Sequence, residues 1–157
     1  MLKKQQIIYN FFFIFFLLLK PSFADILKPS TEIEPEKVIK IQLTALMEND
    51  DPYKDRGIAQ IWEFAHPNNR KMTGPLERFK NMIKTDSYSM LLDHSNHEIS
   101  EVYMSNKVAT FEVTVMDIEK KYYKFKWQVE KYNGEGFPKD CWLTTTVSQP
   151  IPVGSSI

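Results

Sequence analysis

One cysteine, Cys141, stands in a chain of 157 residues, so no intramolecular disulfide can form in any redox compartment. Net charge is missing too: 20 Lys and Arg face 20 Asp and Glu, and the lysines alternate with glutamates instead of forming a stripe. That pattern offers nucleic acid no electrostatic footprint. After the first two dozen residues there is no apolar run of membrane-spanning length. There is no Gly-rich phosphate cradle, no nucleophile-elbow pattern and no internal repeat, which argues against several familiar enzyme classes and against solenoids.

What is present begins with a three-part amino terminus. Lys3 and Lys4 form a basic n-region, Phe11 to Leu19 an apolar h-region, and Ser22-Phe23-Ala24 a small-residue cleavage site, the pattern of a secretory signal peptide. As a helix, Ile7 to Leu19 would span roughly 20 Å, against about 30 Å of bilayer hydrocarbon, and Asn10 and Lys20 limit it further. Cleavage before Asp25 is therefore expected, leaving no stable membrane anchor. The protein is expected to be exported, to periplasm or extracellular space, with a thylakoid lumen reached by a similar signal also open. Cleavage removes Lys3, Lys4 and Lys20 and no acid, so 17 basic residues then face 20 acidic ones. The expected organisation is signal peptide 1–24, leader 25–33, one domain over 34–148 and a flexible tail 149–157. A domain of this length buries a core without staples.

The first half of the domain carries a helical period. Pro35 suits the first turn, Glu34 and Glu36 suit the dipole, and the helix runs to about Glu48, before Asn49-Asp50-Asp51-Pro52. Val38, Ile39, Ile41, Leu43, Ala45, Leu46 and Met47 form one apolar arc. Gln42 breaks that arc, and a buried amide without a partner costs about 1–3 kcal/mol. It must bond either to loop backbone or to whatever occupies a cavity. A second helix is expected with Asp55 as N-cap, Gly57 near its start, Ile58, Ile61, Trp62 and Ala65 inward, and His66 in a last turn ended by Pro67. Asn68-Asn69-Arg70 reads as a turn, and Thr73-Gly74-Pro75 opens a third helix with Leu76, Phe79, Met82 and Ile83 on its core face.

After Thr85 the period falls to two. Tyr88 to Leu92 reads as a short strand and Asp93 to Asn96 as a polar loop, with a weak strand over Ile99 to Met104. Ala109, Phe111, Val113 and Val115 then alternate with polar residues, as do Tyr123, Phe125, Trp127 and Val129, and a last strand runs from about Cys141 to Ser148. Cys141, between Asp140 and Trp142, reads as a buried core thiol rather than a nucleophile or a link between protomers. The tail from Gln149, with Pro150, Pro152 and Gly154, lacks the alternation needed to continue a sheet. Helices gathered before hairpins give an α+β fold: three N-terminal helices packed on a curved antiparallel sheet of four to five strands.

The element order resembles the nuclear transport factor 2-like fold, the cystatin-like cone. Local wording further resembles an uncharacterised family of bacterial and plant-plastid proteins assigned to that superfamily. The matching phrases are Pro35-Glu36-Lys37-Val38, Gln42-Leu43, Ala45-Leu46, Asn49-Asp50, Gly57-Ile58-Ala59 and Trp62-Glu63-Phe64-Ala65. Further on they are Pro67 with Asn69-Arg70, Thr73-Gly74-Pro75-Leu76 with Arg78-Phe79, Leu91-Leu92, His94 and Cys141-Trp142. The resemblance implies a cone whose cavity serves isomerisation, dehydration, small-molecule binding or dimer packing in different relatives. It places Gln42, Trp62, Phe79, His94, Phe111, Trp127 and Trp142 as candidate cavity-lining residues, with a plain core role beside it for the aromatics.

An isomerase would need a base and an acidic group converging on substrate. Asp86, Asp93, His94, Tyr88 and Tyr123 are candidates, but no spacing ties them together, and no catalytic residue is assigned. Asp93-His94 with His97 and Glu98 reads as a polar loop rather than a metal site, and no cofactor is expected. The reading is an exported, non-enzymatic cone domain that binds a small apolar ligand or a protein partner, with a homodimer through the sheet allowed. The second reading is a cofactor-free lyase or isomerase in the same cavity.

Overall fold

The computed structural model describes residues 25–155, so the signal-peptide reading of residues 1–24 lies outside the described residues. The fold is α+β, with four helices and a 3-10 turn ahead of a five-stranded antiparallel sheet. The helices are α1 (Pro35–Met47), α2 (Arg56–Glu63), α3 (Pro67–Thr73) and α4 (Leu76–Ile83). The strands are β1 (Asn96–Met104), β2 (Val108–Met116), β3 (Lys121–Lys131), β4 (Trp142–Val147) and β5 (Ile151–Ser155). None of the described helices is long and apolar enough to cross a membrane.

Alternation along β2 and β3 decides which face of the sheet is covered. Ala109, Phe111, Val113, Val115, Phe125, Trp127 and Val129 enter one core with Val38, Ile39, Leu43 and Leu46 of α1, Ile58 and Ile61 of α2, and Phe79 and Ile83 of α4. The opposite face carries polar cross-strand pairs such as Lys124 with Glu112, 2.6 Å apart. Strand β3 is long enough to serve two neighbours on one edge. Its Trp127–Lys131 half pairs with β4, and its Lys121–Lys124 half pairs with β5.

Four local expectations are corrected. The Asn68-Asn69-Arg70 turn is instead part of α3, nucleated by His66, whose Nδ1 accepts the Asn68 N–H at 3.1 Å with Pro67 at the first helical position. His66 thus begins a helix and does not end one. The Tyr88–Leu92 strand is a 3-10 turn at Ser89–Leu91, because the short apolar run there packs against the core without a ladder partner. The tail is not irregular up to Ser155: β5 completes the sheet despite Pro152, which an edge strand tolerates because its outer side needs no donor.

The fourth correction concerns the start of α2. Asp55 occupies the cap position with φ 62° but makes no capping bond, and its carboxylate takes Lys84 Nζ at 2.7 Å. The capping comes from Asn49, buried beyond the end of α1. Its carbonyl accepts the Gly57 N–H at 2.9 Å, and its Oδ1 accepts the Ile58 N–H at 3.2 Å. This brings α1 and α2 so close that a Cβ on Gly57 would sit 2.1 Å from the Ala45 carbonyl oxygen. The leader is tied to the same helix: the Gln60 amide both donates to and accepts from the Leu27 backbone, each bond 2.8 Å.

Candidate functional site

The segment between α2 and α3 shapes the site. It runs beside β4 as a single parallel bridge, with Thr144 N–H donating to Phe64 O at 2.8 Å and His66 N–H donating to Thr144 O at 2.9 Å. Beside that bridge lies a cavity of about 470 Å³ lined by residues of α3, α4 and β4. Its volume falls within the range of small-molecule sites, roughly 300–1,000 Å³. The walls are largely apolar, with Ile61, Met72, Phe79, Met82, Leu91 and Val147 among them, and Gln42 and Trp127 also line it.

A buried hydrogen-bond chain fixes those two polar groups. Trp127 Nε1–H can only donate, and it reaches Thr144 Oγ1 at 3.3 Å; the hydroxyl therefore sends its own proton to Gln42 Oε1 at 2.7 Å. Gln42 Nε2 is left to donate, and it reaches Ile61 O at 3.3 Å, one of the carbonyls that the end of α2 leaves without a helical donor. The Gln42 partners are thus a helix-end carbonyl and a side chain 102 residues away.

The more open part of the lining is polar, with His66, Asn68, Asn69, Thr145, Thr146, Tyr88 and Glu130. His66 accepts at Nδ1, so its proton sits on Nε2 and the ring is neutral. Burial pushes its pKa below the ordinary value against the pull of Glu130. Burial raises the Tyr88 phenol. The Tyr88 hydroxyl donates to Val147 O at 3.4 Å and accepts from Gln149 at 3.2 Å.

Of the seven candidate lining residues, the structure brings Gln42, Phe79 and Trp127 to this cavity. Trp62 lies behind it, its ring 5.0 Å from Phe79 and covered by the Arg70 guanidinium at 5.3 Å. Phe111 is fully buried in the core. Trp142 is buried under the Lys131 ammonium, 5.3 Å away. His94 sits elsewhere, 1% exposed, with Nδ1 2.7 Å from Leu91 O and Nε2 2.8 Å from His97 Nδ1. Burial, and then the neighbouring imidazole, lower its pKa against the pull of the Leu91 carbonyl. No group of three or more His, Cys, Asp or Glu among the described residues could hold a metal ion. Cys141 is buried, and burial followed by Asp140 raises its thiol pKa, so it is not an activated nucleophile.

His66, Glu130 and Thr144 are the site residues that sequence reasoning missed. His66 and Thr144 meet at the cavity through the α2–α3 bridge to β4, a pairing with no periodic signature, whereas Glu130 comes from β3.

The family described as a domain of unknown function, DUF4864, matches residues 29–142. The chain belongs to the DUF4864 family. No curated protein and no solved structure matches it. The matched span of the DUF4864 domain contains α1 to α4 and β1 to β3, and ends at Trp142, the first residue of β4. Gln42, His66, Phe79, Trp127 and Glu130 fall inside it, whereas Thr144 and Val147 lie just beyond.

Proposed function

We propose that this DUF4864 protein is exported and that its domain is a non-enzymatic binding module holding a small apolar molecule between helices and sheet. The observation that carries the reading is the cavity of about 470 Å³ with apolar walls and an oriented amide on its lining. Pockets of this make-up, mostly apolar with a few fixed polar groups, are what small-molecule sites require. We also propose that the architecture is a nuclear transport factor 2-like cone. Its support is that helices precede the hairpins, that they cover one sheet face, and that ladder irregularities occur at Glu101/Tyr103, Tyr122/Tyr123 and Gln128/Val129, where a sheet can bend.

One observation favours the second reading, a cofactor-free lyase or isomerase. The neutral His66 imidazole and the Glu130 carboxylate line the same cavity, which is a base and a charge partner with access to a bound molecule. His94, the histidine that the sequence pointed to, does not reach it.

The test is a native mass spectrum of the protein from the exported fraction of its own cells, beside a Thr73→Trp variant. Thr73 lines the cavity near the end of α3 and bonds only to Asn69 O within its own helix, so an indole there fills space without uncovering a buried partner. The expected result is a mature mass starting at Asp25 with a discrete small-molecule adduct that the variant lacks. A bare mature mass in both proteins would overturn the binding reading and leave turnover assays to judge the second. A mass that retains residues 1–24 would overturn cleavage.

A further inference from the structure

Two features of the cavity lining bear on what it would accept. The first is an unused donor. Gln42 is 1% exposed, and its amide orientation is set by the Trp127–Thr144 chain, so Nε2 presents two N–H groups. One reaches Ile61 O, and the other has no partner among the described residues. A buried donor left in this way calls for an acceptor from the cavity. The second feature is charge. No Lys or Arg lines the cavity, His66 is held neutral by the Asn68 N–H, and Glu130 is the one carboxylate on the lining. Glu130 accepts a hydrogen bond from Gln128 at 2.8 Å and forms no salt bridge among the described residues. Its neighbour Lys131 is turned over Trp142. An anion entering here would lose its hydration, meet no cation and face a carboxylate.

We propose that the cavity selects uncharged apolar molecules bearing a carbonyl, which accepts the spare Gln42 N–H, and that Glu130 excludes carboxylates of the same shape. The inference rests on the cavity reading above and specifies its ligand class. The walls suit the rest of such a molecule: Phe79, Trp127 and Tyr88 offer ring faces, and Met72 and Met82 offer adaptable thioethers.

Three probes of nearly one skeleton separate the terms: butyrophenone with the carbonyl, butylbenzene without it, and phenylbutyrate with a carboxylate. Affinities are read by calorimetric titration of the mature protein and of Gln42→Leu and Glu130→Gln. Butyrophenone is expected to bind about tenfold tighter than butylbenzene, the worth of roughly one buried hydrogen bond. Phenylbutyrate is expected to bind more weakly than both. Gln42→Leu should erase the ketone advantage while butylbenzene still binds. Glu130→Gln, on a partly exposed position, should raise phenylbutyrate affinity relative to that of the ketone. Phenylbutyrate binding as tightly as butyrophenone, or a ketone advantage that survives Gln42→Leu, would overturn the selection while leaving the cavity reading intact. Binding of none of the three would overturn both.

Discussion

Replacing Gln42 by leucine tests whether the Trp127–Thr144–Gln42–Ile61 chain contributes to stability as a connected unit. Leucine matches the volume but offers nothing to the Ile61 carbonyl or to the Thr144 hydroxyl. An unpaired buried acceptor costs about 1–3 kcal/mol, and the value falls to the low end if cavity water reaches Ile61 O. The hydroxyl can turn, so its own loss is smaller. Gln42→Leu should therefore destabilise by about 1–3 kcal/mol. Thr144→Val strands the Trp127 N–H and the Gln42 oxygen, both buried, and should cost a similar amount. In the double variant the Gln42 oxygen no longer exists to be stranded, so the two losses should fall short of additivity by about 0.5–1.5 kcal/mol. Urea titration followed by tryptophan fluorescence reads all four proteins, with unchanged slopes required for comparison. Losses that add to within about 0.3 kcal/mol would refute the chain as a coupled unit.

Gly57→Ala offers a test in which two forces oppose. Alanine is the better helix former by about 1 kcal/mol, yet its methyl would lie 2.1 Å from the Ala45 carbonyl and 2.9 Å from the Asn49 Cα. Both obstacles are backbone, so a loss of roughly 2 kcal/mol or more is expected, and an equal or higher melting temperature would disprove the close approach of α1 and α2. Stability should also fall on mild acidification. His66, His94 and His97 all have folded-state pKa values below the ordinary one, with burial the largest cause in each. The unfolded chain therefore binds protons first, and the stability held above about pH 6.5 is lost as the pH falls from there toward the folded values. Each histidine contributes at most about 1.4 kcal/mol per pH unit in that window. Urea midpoints that stay flat between pH 7.5 and about 5 would contradict the buried, neutral rings.

The α+β layout was legible in the sequence because the elements that build it bury one face each. Val38, Ile39, Leu43 and Leu46 repeat at helical spacing, Phe111, Val113 and Val115 at strand spacing, and both sets meet in the core. Where an element draws its partner from elsewhere, periodicity is silent. Strand β5 is exposed along its length and exists through its pairing with β3, so Pro152 and Gly154 looked like breakers. Helix α3 buries none of its residues and starts on a histidine ring nitrogen, a cap that residue-type preference ranks below serine or aspartate. Asp55 met the cap preference by type and position, but Lys84 took its carboxylate and left the capping to Asn49.

Three of the seven expected lining residues, Gln42, Phe79 and Trp127, reach the cavity, and Gln42 was legible for a physical reason of its own, because a polar residue inside an apolar arc has to be satisfied. The sequence could not say by what, since its partners are fixed only once β4 lies beside the α2–α3 segment. Both Phe79 and Phe111 belong to the core, but Phe79, on α4, also lines the cavity, whereas Phe111, on β2, does not. His94 drew attention as a histidine beside an aspartate, yet its ring is committed to Leu91 O and His97. His66, passed over as a helix end, came to the cavity because its backbone pairs with Thr144. That pairing places the His66 imidazole and the Thr144 hydroxyl on one lining, although they lie far apart in the chain.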